Sequence, residues 1–435
     1  LGRARSIGAK QLVLLQTDLE SDRQNKLISH YQKALVIKYN NPRAHEKLAR
    51  IYQSQFQFQE ASLHYIKSLQ FDPNNLRNYW GLKYSLLPAS WGKEKIDPSL
   101  LEEGVALLHQ TVENQPNFPF ARVLLGMLLT LQGKIESAID SYKAASYQQI
   151  LLSHPQLVEK HWDFGQQLQP KFMIPGFRKC GTTSLYSYLI KHPQVLPAVE
   201  KELHFFTFFF KQDIDYYLAH FPGISNSKNY ITGEATPGYI VYSRIAQRIF
   251  ALFPKMKFIV LLRNPIDRAI SSYYHKCRLS YVDYTYKSQL TQITQNCLNK
   301  TIEKIPSLIN QRFDYFFDDS LSSLQEKYKQ FSNDILLSHL LGSLYIYYLK
   351  EWMNIFPREQ FLIIKSENLF ENPSATMKQV YNFLDLQDNY MPEFRNCNPG
   401  SYAPIPDNLR HQLVDFFRPY NQQLEEYLGM KFDWE

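Results

Sequence analysis

The sequence predicts two folds in one chain: an all-α array first, then an α/β unit whose parallel sheet is covered by helices on both faces. Three observations predict this. Small and apolar residues recur with a period of 34 residues in the first third. From Pro170 to Leu185 the chain reads PKFMIPGFRKCGTTSL, an apolar run, a Pro-Gly break, a glycine-bracketed loop and a helix start. Beyond it, unbroken apolar runs at Lys257–Leu262 (KFIVLL) and Gln360–Ile364 (QFLII) alternate with helical patterns, as buried parallel strands alternate with crossover helices. The expected divisions are 1–147 for the helical array, 148–169 for a connector with Pro155 and several Gln, and 170–435 for the α/β unit.

The repeat is clearest from Pro42 to Asn75, where Leu48, Ala49, Tyr52, Ala61, Tyr65 and Ser68 mark two helices ending at Asp72-Pro73-Asn74-Asn75. Tyr31 and Ala34 fall one period earlier, Tyr79 and Leu82 one period later. After an insertion around Pro88–Pro98, Gly126, Leu129, Ala138, Tyr142 and Ala145 keep the same spacing. This pattern resembles a tetratricopeptide repeat, three to four copies of which stack a continuous core. The resemblance implies a protein partner or self-association on the concave face, or a passive scaffold.

In the α/β unit, Phe172–Ile174 reads as a strand and Thr182 as a helix start. A helix N-terminus presents unpaired N–H groups and partial positive charge, which makes a phosphate cradle. Gly176 and Gly181 let the backbone approach an anion, Lys179 adds a full charge, and Thr182, Thr183 and Ser184 add hydroxyls. The loop departs from a Walker A motif, because Lys179 precedes Gly181 and no Lys-Ser/Thr pair follows. Further expected elements are a strand at Gln194–Pro197, the cluster KELHFF at Lys201–Phe206, and an extended segment at Tyr230–Tyr239 turning at Pro237-Gly238. Helices are expected at Ser243–Leu252, from Ile266, at Gly342–Phe356 and at Pro373–Leu384. The strand KFIVLL ends at Arg263, where a phosphotransferase needs a carboxylate to hold magnesium. Arg263 and Ser271 make a second phosphate receptor, with no obvious metal ligand.

Composition narrows the partners. Basic residues number 48 against 41 acidic, a net +7, with no long basic run, which favours an anionic small ligand over duplex nucleic acid. The 30 Tyr and 29 Phe exceed what a core needs and leave rings to line a cleft. Four scattered cysteines without CxxC spacing suggest neither zinc nor a disulfide framework, so a reducing, cytoplasmic setting is expected. No apolar run reaches membrane-spanning length. The residues shown contain no signal peptide, although a chain that does not begin with Met leaves an earlier leader open.

Together, GFRKCGTTSL, KELHFF, LLRNPIDRAISSYYH and LKEWMNIFPREQFLIIKSENLFENPSATMKQVYNFL resemble, in order, four motifs of the sulfotransferases that use 3′-phosphoadenosine 5′-phosphosulfate (PAPS). The likeness is to the Golgi heparan-sulfate type and its bacterial relatives, and it spans Lys171 to Trp434. It implies that Arg178, Lys179, Cys180, Gly181, Thr182, Thr183 and Ser184 bind the 5′-phosphosulfate and that Arg263 and Ser271 hold the 3′-phosphate. It also implies that Lys179 stabilises the leaving phosphate, that Glu202 is the base, that His204 orients the acceptor, and that no metal takes part. Sulfuryl transfer, like phosphoryl transfer, rests on positioning and cationic stabilisation. Phe205 and Phe206 beside Glu202 are expected to desolvate its carboxylate and raise its pKa. A surface ion pair with Lys201 is the other reading of Glu202, and a structural role that of His204.

The family's disulfide-bearing segment and Lys-Gly-Arg loop have no counterpart in FRNCNPGSYAPIP, so Tyr402 or a neighbouring backbone group is expected over the nucleotide, and the missing cysteine pair suits a bacterial cytosol. The Tyr-rich stretch Tyr273–Phe331 is expected to frame the acceptor site. The implied activity is transfer of a sulfuryl group to a hydroxyl or amine, with a carbohydrate as the expected acceptor. A P-loop-type nucleotide kinase and a non-catalytic repeat adaptor are the alternatives.

Overall fold

The computed structural model describes residues 24–92, 94–225, 229–280, 339–395, 405 and 407–434. The chain divides into two compact units, Leu1–Leu152 and Ser153–Glu435.

The first unit is helical: α1 (24–37), α2 (Pro42–Ser54), α3 (Phe58–Phe71), α4 (Leu76–Ser90), α5 (Pro98–Asn114), α6 (Pro119–Leu131) and α7 (Ile135–Ser153). Helix starts follow local rules. Asn41 caps α2 by accepting from the Ala44 N–H at 3.2 Å, Asp97 caps α5 through the Ser99 N–H at 2.8 Å, and Pro opens α2, α5 and α6. Helices pack on the next and next-but-one neighbour, α2 on α3 and α4, α3 on α4 and α5, α4 on α6. Small residues allow this closeness: a Cβ on Gly81 would lie 2.3 Å from the Tyr65 ring, and one on Gly126 would lie 2.7 Å from the Tyr142 ring. The corresponding positions Ala61 and Ala138, Tyr65 and Tyr142 are all buried.

The second unit is built on a five-stranded parallel sheet. Its strands are β2 (Phe172–Ile174), β3 (Val195–Pro197), β5 (Ile231–Ala235), β6 (Lys257–Leu262) and β7 (Phe361–Lys365), in the order β3-β5-β2-β6-β7. All four pairings are parallel, with Ile174 opposite Ala235 and Leu262 opposite Lys365. The helices are α8 (Pro155–His161), α9 (Thr182–Leu189), α10 (Ile214–Leu218), α11 (Ser243–Leu252), α12 (Pro265–Ser280), α13 (Tyr345–Met353), α14 (Ser366–Glu371), α15 (Pro373–Phe383) and α16 (Asp407–Leu428). Strand residues 258–262 are fully buried, which explains their continuous apolar sequence.

Two elements differ from expectation. The helix expected over Gly342–Phe356 spans only Tyr345–Met353, because Ser343 bonds back to Leu340 and Pro265 rather than opening the helix. The stretch 148–169 contains the end of α7, all of α8 and β1 (Trp162–Gln167), which pairs antiparallel with β4 (Gly223–Ile224). No described helix is long and apolar enough to cross a membrane.

Candidate functional site

In a parallel sheet every strand delivers its following residues to one edge. Here those residues are the loop 175–181 after β2, Lys201–Phe206 beyond β3, Thr236–Gly238 after β5, Arg263-Asn264 after β6, and Ser366-Glu367 at the end of β7. Chain order reverses at β2: the strands that follow it lie on one side for β3 and β5 and on the other for β6 and β7. A crevice opens at such a reversal, and ligands bind there.

The loop after β2 is held from both sides. The Pro175 carbonyl accepts from the N–H groups of Gly238 and Ile240, each at 3.0 Å, and Gly176 is required because a Cβ would meet Ile240 at 2.4 Å. Arg178 donates from Nε to the Pro237 carbonyl at 3.0 Å. Lys179 and Gly181 take left-handed backbone, φ +69° and +89°. Helix α9 begins there. Its first internal bond runs from the Leu185 N–H to the Gly181 carbonyl at 3.0 Å, which leaves Thr182, Thr183 and Ser184 without a helical acceptor for their N–H groups. Thr182 and Ser184 are buried. The Cys180 side chain turns inward, its Sγ 3.9 Å from the Tyr345 hydroxyl, so only its backbone faces the loop; burial raises the thiol pKa.

Arg263 leaves β6 beside this loop, and its Nη1 donates to the Lys179 carbonyl at 3.3 Å. Ser271 lies buried on α12 two turns on. Arg268 is not a ligand-facing cation: its guanidinium bonds to Ser343 Oγ at 2.7 Å, to the His339 carbonyl at 2.6 Å and to the Arg178 carbonyl at 3.4 Å, fastening α12 to the loop.

Glu202 and His204 both have positive φ, +69° and +56°. The Glu202 N–H donates to the Ala235 carbonyl at 3.1 Å, and Ala235 lies opposite Ile174, so both motifs sit against the same strand ends. The expected raised pKa of Glu202 is corrected: burial pushes it up, but the His204 hydrogen bond and the charge and hydrogen bond of Lys201 outweigh this and hold it at about 2. The carboxylate side chain is 42% exposed and forms an ion pair with Lys201 at 2.5 Å, while Phe205 and Phe206 turn into the core against Tyr217 and Tyr239. His204 Nε2 lies 3.8 Å from the other carboxylate oxygen.

Sequence reading missed a second carboxylate. Glu234 on β5 is fully buried and accepts from the Tyr217 hydroxyl at 2.7 Å and the Thr236 hydroxyl at 2.5 Å; burial pushes its pKa up to about 7 despite those bonds. The alternation Thr232, Glu234, Thr236 was the available signal. Also missed were Ser366 and Glu367, which follow the run FLII and Lys365 and open α14. The neighbouring strand end thus does carry a carboxylate. Tyr402 and most of the Tyr-rich stretch lie outside the described residues. Among the described residues no cluster of three or more His, Cys, Asp or Glu could hold a metal.

Residues 169–397 match the family described as sulfotransferase domain, more than half of the chain. The chain belongs to that family. The chain is 27% identical over 313 residues to the membrane-associated sulfotransferase kil1 of Dictyostelium discoideum, covering 61% of this chain and 66% of that one, just under two thirds of its length. It is 26% identical over 294 residues to heparan sulfate glucosamine 3-O-sulfotransferase 6 of Homo sapiens, covering 62% and 75%. A solved sulfotransferase from Alicyclobacillus acidocaldarius is 25% identical, covering 61% of this chain and 98% of that one, with a TM-score of 0.45. The matched residues, 169–397, contain all five strands of the parallel sheet.

Proposed function

We propose that the chain transfers the sulfuryl group of PAPS to a hydroxyl or amine of a carbohydrate. The observation that supports this reading most is strain. Lys179, Glu202 and His204 are all non-glycine residues in left-handed backbone, and all three belong to loops at one edge of one sheet. Such conformations cost about 1–3 kcal/mol each and persist at functional sites. Family membership and the heparan sulfate acceptor named for the human relative support the carbohydrate.

The residues fit the donor nucleotide. The cradle offers the N–H groups of Thr182, Thr183 and Ser184, a glycine at Gly181 and the cation Lys179 for the 5′-phosphosulfate; Arg263 and Ser271 serve the 3′-phosphate. PAPS supplies the sulfuryl group. Lys179 neutralises charge that develops on the departing phosphate, an electrostatic effect of the kind that dominates such transfers. Glu202 takes the proton from the acceptor hydroxyl or amine, and His204 holds the carboxylate in place. With a carboxylate at about 2 in the free enzyme, proton transfer to it is driven only once the acceptor's oxygen or nitrogen has begun to bond to sulfur. The helical unit is proposed to be a tetratricopeptide array that engages a protein partner or a second copy, on the strength of the spacing of Tyr65 and Tyr142 and of the small residues around them.

The test is transfer of labelled sulfate from PAPS into a panel of glycans, with no added metal. Wild type should label one glycan class, and Glu202→Gln should reduce turnover by two to four orders of magnitude or about that. Equal rates for the two proteins would remove Glu202 from the chemistry, and transfer of labelled phosphate from ATP with magnesium in place of sulfate from PAPS would turn the assignment toward a kinase.

A further inference from the structure

Two phosphate receptors are useful for selecting a nucleotide only if the distance between them is fixed. They come from different strands, β2 and β6, and those strands pair only through Phe172 and Met173 at the far end, away from the receptors. Two long contacts link them directly, Arg263 Nη1 to the Lys179 carbonyl at 3.3 Å and Arg268 Nη1 to the Arg178 carbonyl at 3.4 Å. The two residues that follow β7 and open α14 bond to both with shorter contacts. Ser366, with no exposed surface, donates from Oγ to the Cys180 carbonyl at 2.8 Å, and that carbonyl belongs to the peptide joining Cys180 to Gly181 in the cradle. Glu367 accepts the Asn264 N–H on Oε1 at 2.9 Å, and that N–H belongs to the peptide joining Arg263 to Asn264. The carbonyl of the same peptide accepts from the Tyr345 hydroxyl at 2.8 Å, so the backbone from which Arg263 projects is held at both ends. Asn264 passes the constraint on, because its Oδ1 accepts the N–H groups of Ile266 and Asp267 and so starts α12, the helix carrying Ser271.

Ser366 and Glu367 are adjacent, and one planar peptide of fixed length separates their α-carbons. Each phosphate receptor is therefore referred to the same rigid unit. A further observation separates this from ordinary packing. The second oxygen of Glu367, Oε2, is buried with no hydrogen-bond partner among the described residues. Native proteins rarely leave such an atom unpaired, and its carboxylate holds the peptide that follows the cation Arg263. A carboxylate there opposes anion binding by its charge, so what it contributes must come from where its acceptor atom sits.

We propose that Ser366 and Glu367 are positioning residues that set the spacing of the two receptors, and with it the preference for a nucleotide phosphorylated at both the 3′ and 5′ positions. This rests on the donor assignment proposed above. Glu367 acts through the geometry of its acceptor oxygen, not through its charge.

The experiment is calorimetric titration of the full chain with adenosine 3′,5′-bisphosphate and, separately, with adenosine 5′-monophosphate. Wild type should prefer the bisphosphate; no preference would overturn the donor assignment itself. With that preference established, Glu367→Ala and Ser366→Ala should each weaken the bisphosphate about tenfold or more, since small misplacements of this kind are costly, and leave the monophosphate within twofold. Glu367→Gln, which keeps the acceptor oxygen and removes the charge, should retain the wild-type preference. Equal loss for both nucleotides in the alanine variants, or no loss for either, would overturn the positioning role. A glutamine variant as impaired as the alanine one would overturn the argument from geometry. If Glu367→Ala fails to fold by circular dichroism, Ser366→Ala and Glu367→Gln decide between the same outcomes.

Discussion

The helical unit and the carboxyl edge of the sheet obey different rules. In the helical unit, most caps, helix-opening prolines and small residues at close contacts agree with the local fold: Asn41 and Asp97 cap, and Gly81 yields to Tyr65. Phe56 at φ +60° and Pro88 inside α4 are exceptions. At the sheet edge, agreement breaks down within a few residues of each strand end. Lys179, Glu202 and His204 take left-handed backbone, Glu234 is a carboxylate without exposed surface, and Glu367 buries an unpaired oxygen. Proteins break local rules where chemistry requires it, and the surrounding structure must hold those residues against their own preference. In this chain the parallel sheet is that surrounding structure, and the disagreement coincides with the proposed site.

This contrast is most severely tested by Lys179→Gly. Glycine adopts the backbone at φ +69° without strain, so removing the side chain should leave thermal stability within about 1 kcal/mol of wild type. Sulfate transfer should fall by about three orders of magnitude, because the cation proposed to neutralise the departing phosphate is gone. A variant that loses stability as well as activity would mean that Lys179 supports the loop and that its backbone is not strained for function.

The next test concerns Glu234. Its carboxyl is raised from 4.5 to about 7 by burial, so the folded protein keeps a proton there that the unfolded chain releases. The stabilisation is complete below pH 4.5 and is lost as pH rises to about 7, a change on the order of 3 kcal/mol. Glu202 acts with the opposite sign: it is lowered to about 2, and its contribution is present above pH 4.5 and lost as pH falls toward 2. Denaturant unfolding between pH 2 and 8 should therefore show wild type losing stability relative to Glu234→Gln from pH 4.5 to about 7. The acid limb, and the opposite trend from His64, lowered to about 4, should be kept in both. Parallel curves would mean that Glu234 is ionised at neutral pH inside the fold.

How much of this was legible beforehand follows from the same contrast. Elements governed by periodicity were readable: Phe172–Ile174, Ser243–Leu252 and Lys257–Leu262 occur with the expected bounds. The strand–loop–helix order around Gly176, Lys179 and Gly181 was readable from the apolar run, the glycine breaks and the helix start. What could not be read was direction. The adjacency of Glu202 to Phe205 and Phe206 suggested a desolvated carboxylate, but a π-helical turn at Phe205–Phe209 sends the rings inward and leaves Glu202 beside Lys201. Glu234 and Glu367 gave weak signals for a related reason. Their partners, Tyr217, Thr236 and Asn264, include residues up to 103 positions away, and only the sheet brings them together.

The smallest predicted effect lies at the other end of the comparison. Asn41 accepts the Ala44 N–H and has extended backbone suited to a cap, φ −92° and ψ 99°. Asn41→Ala leaves that N–H without its partner at the start of α2, while Pro42 still favours helix entry. The expected cost is about 1 kcal/mol, read as a lower unfolding midpoint. Sulfate transfer per folded molecule should not change, since nothing at the sheet edge depends on this bond. A fall in turnover without a fall in folded fraction would tie the helical unit to the chemistry, and the division between a rule-abiding unit and a strained one would no longer separate stability from function.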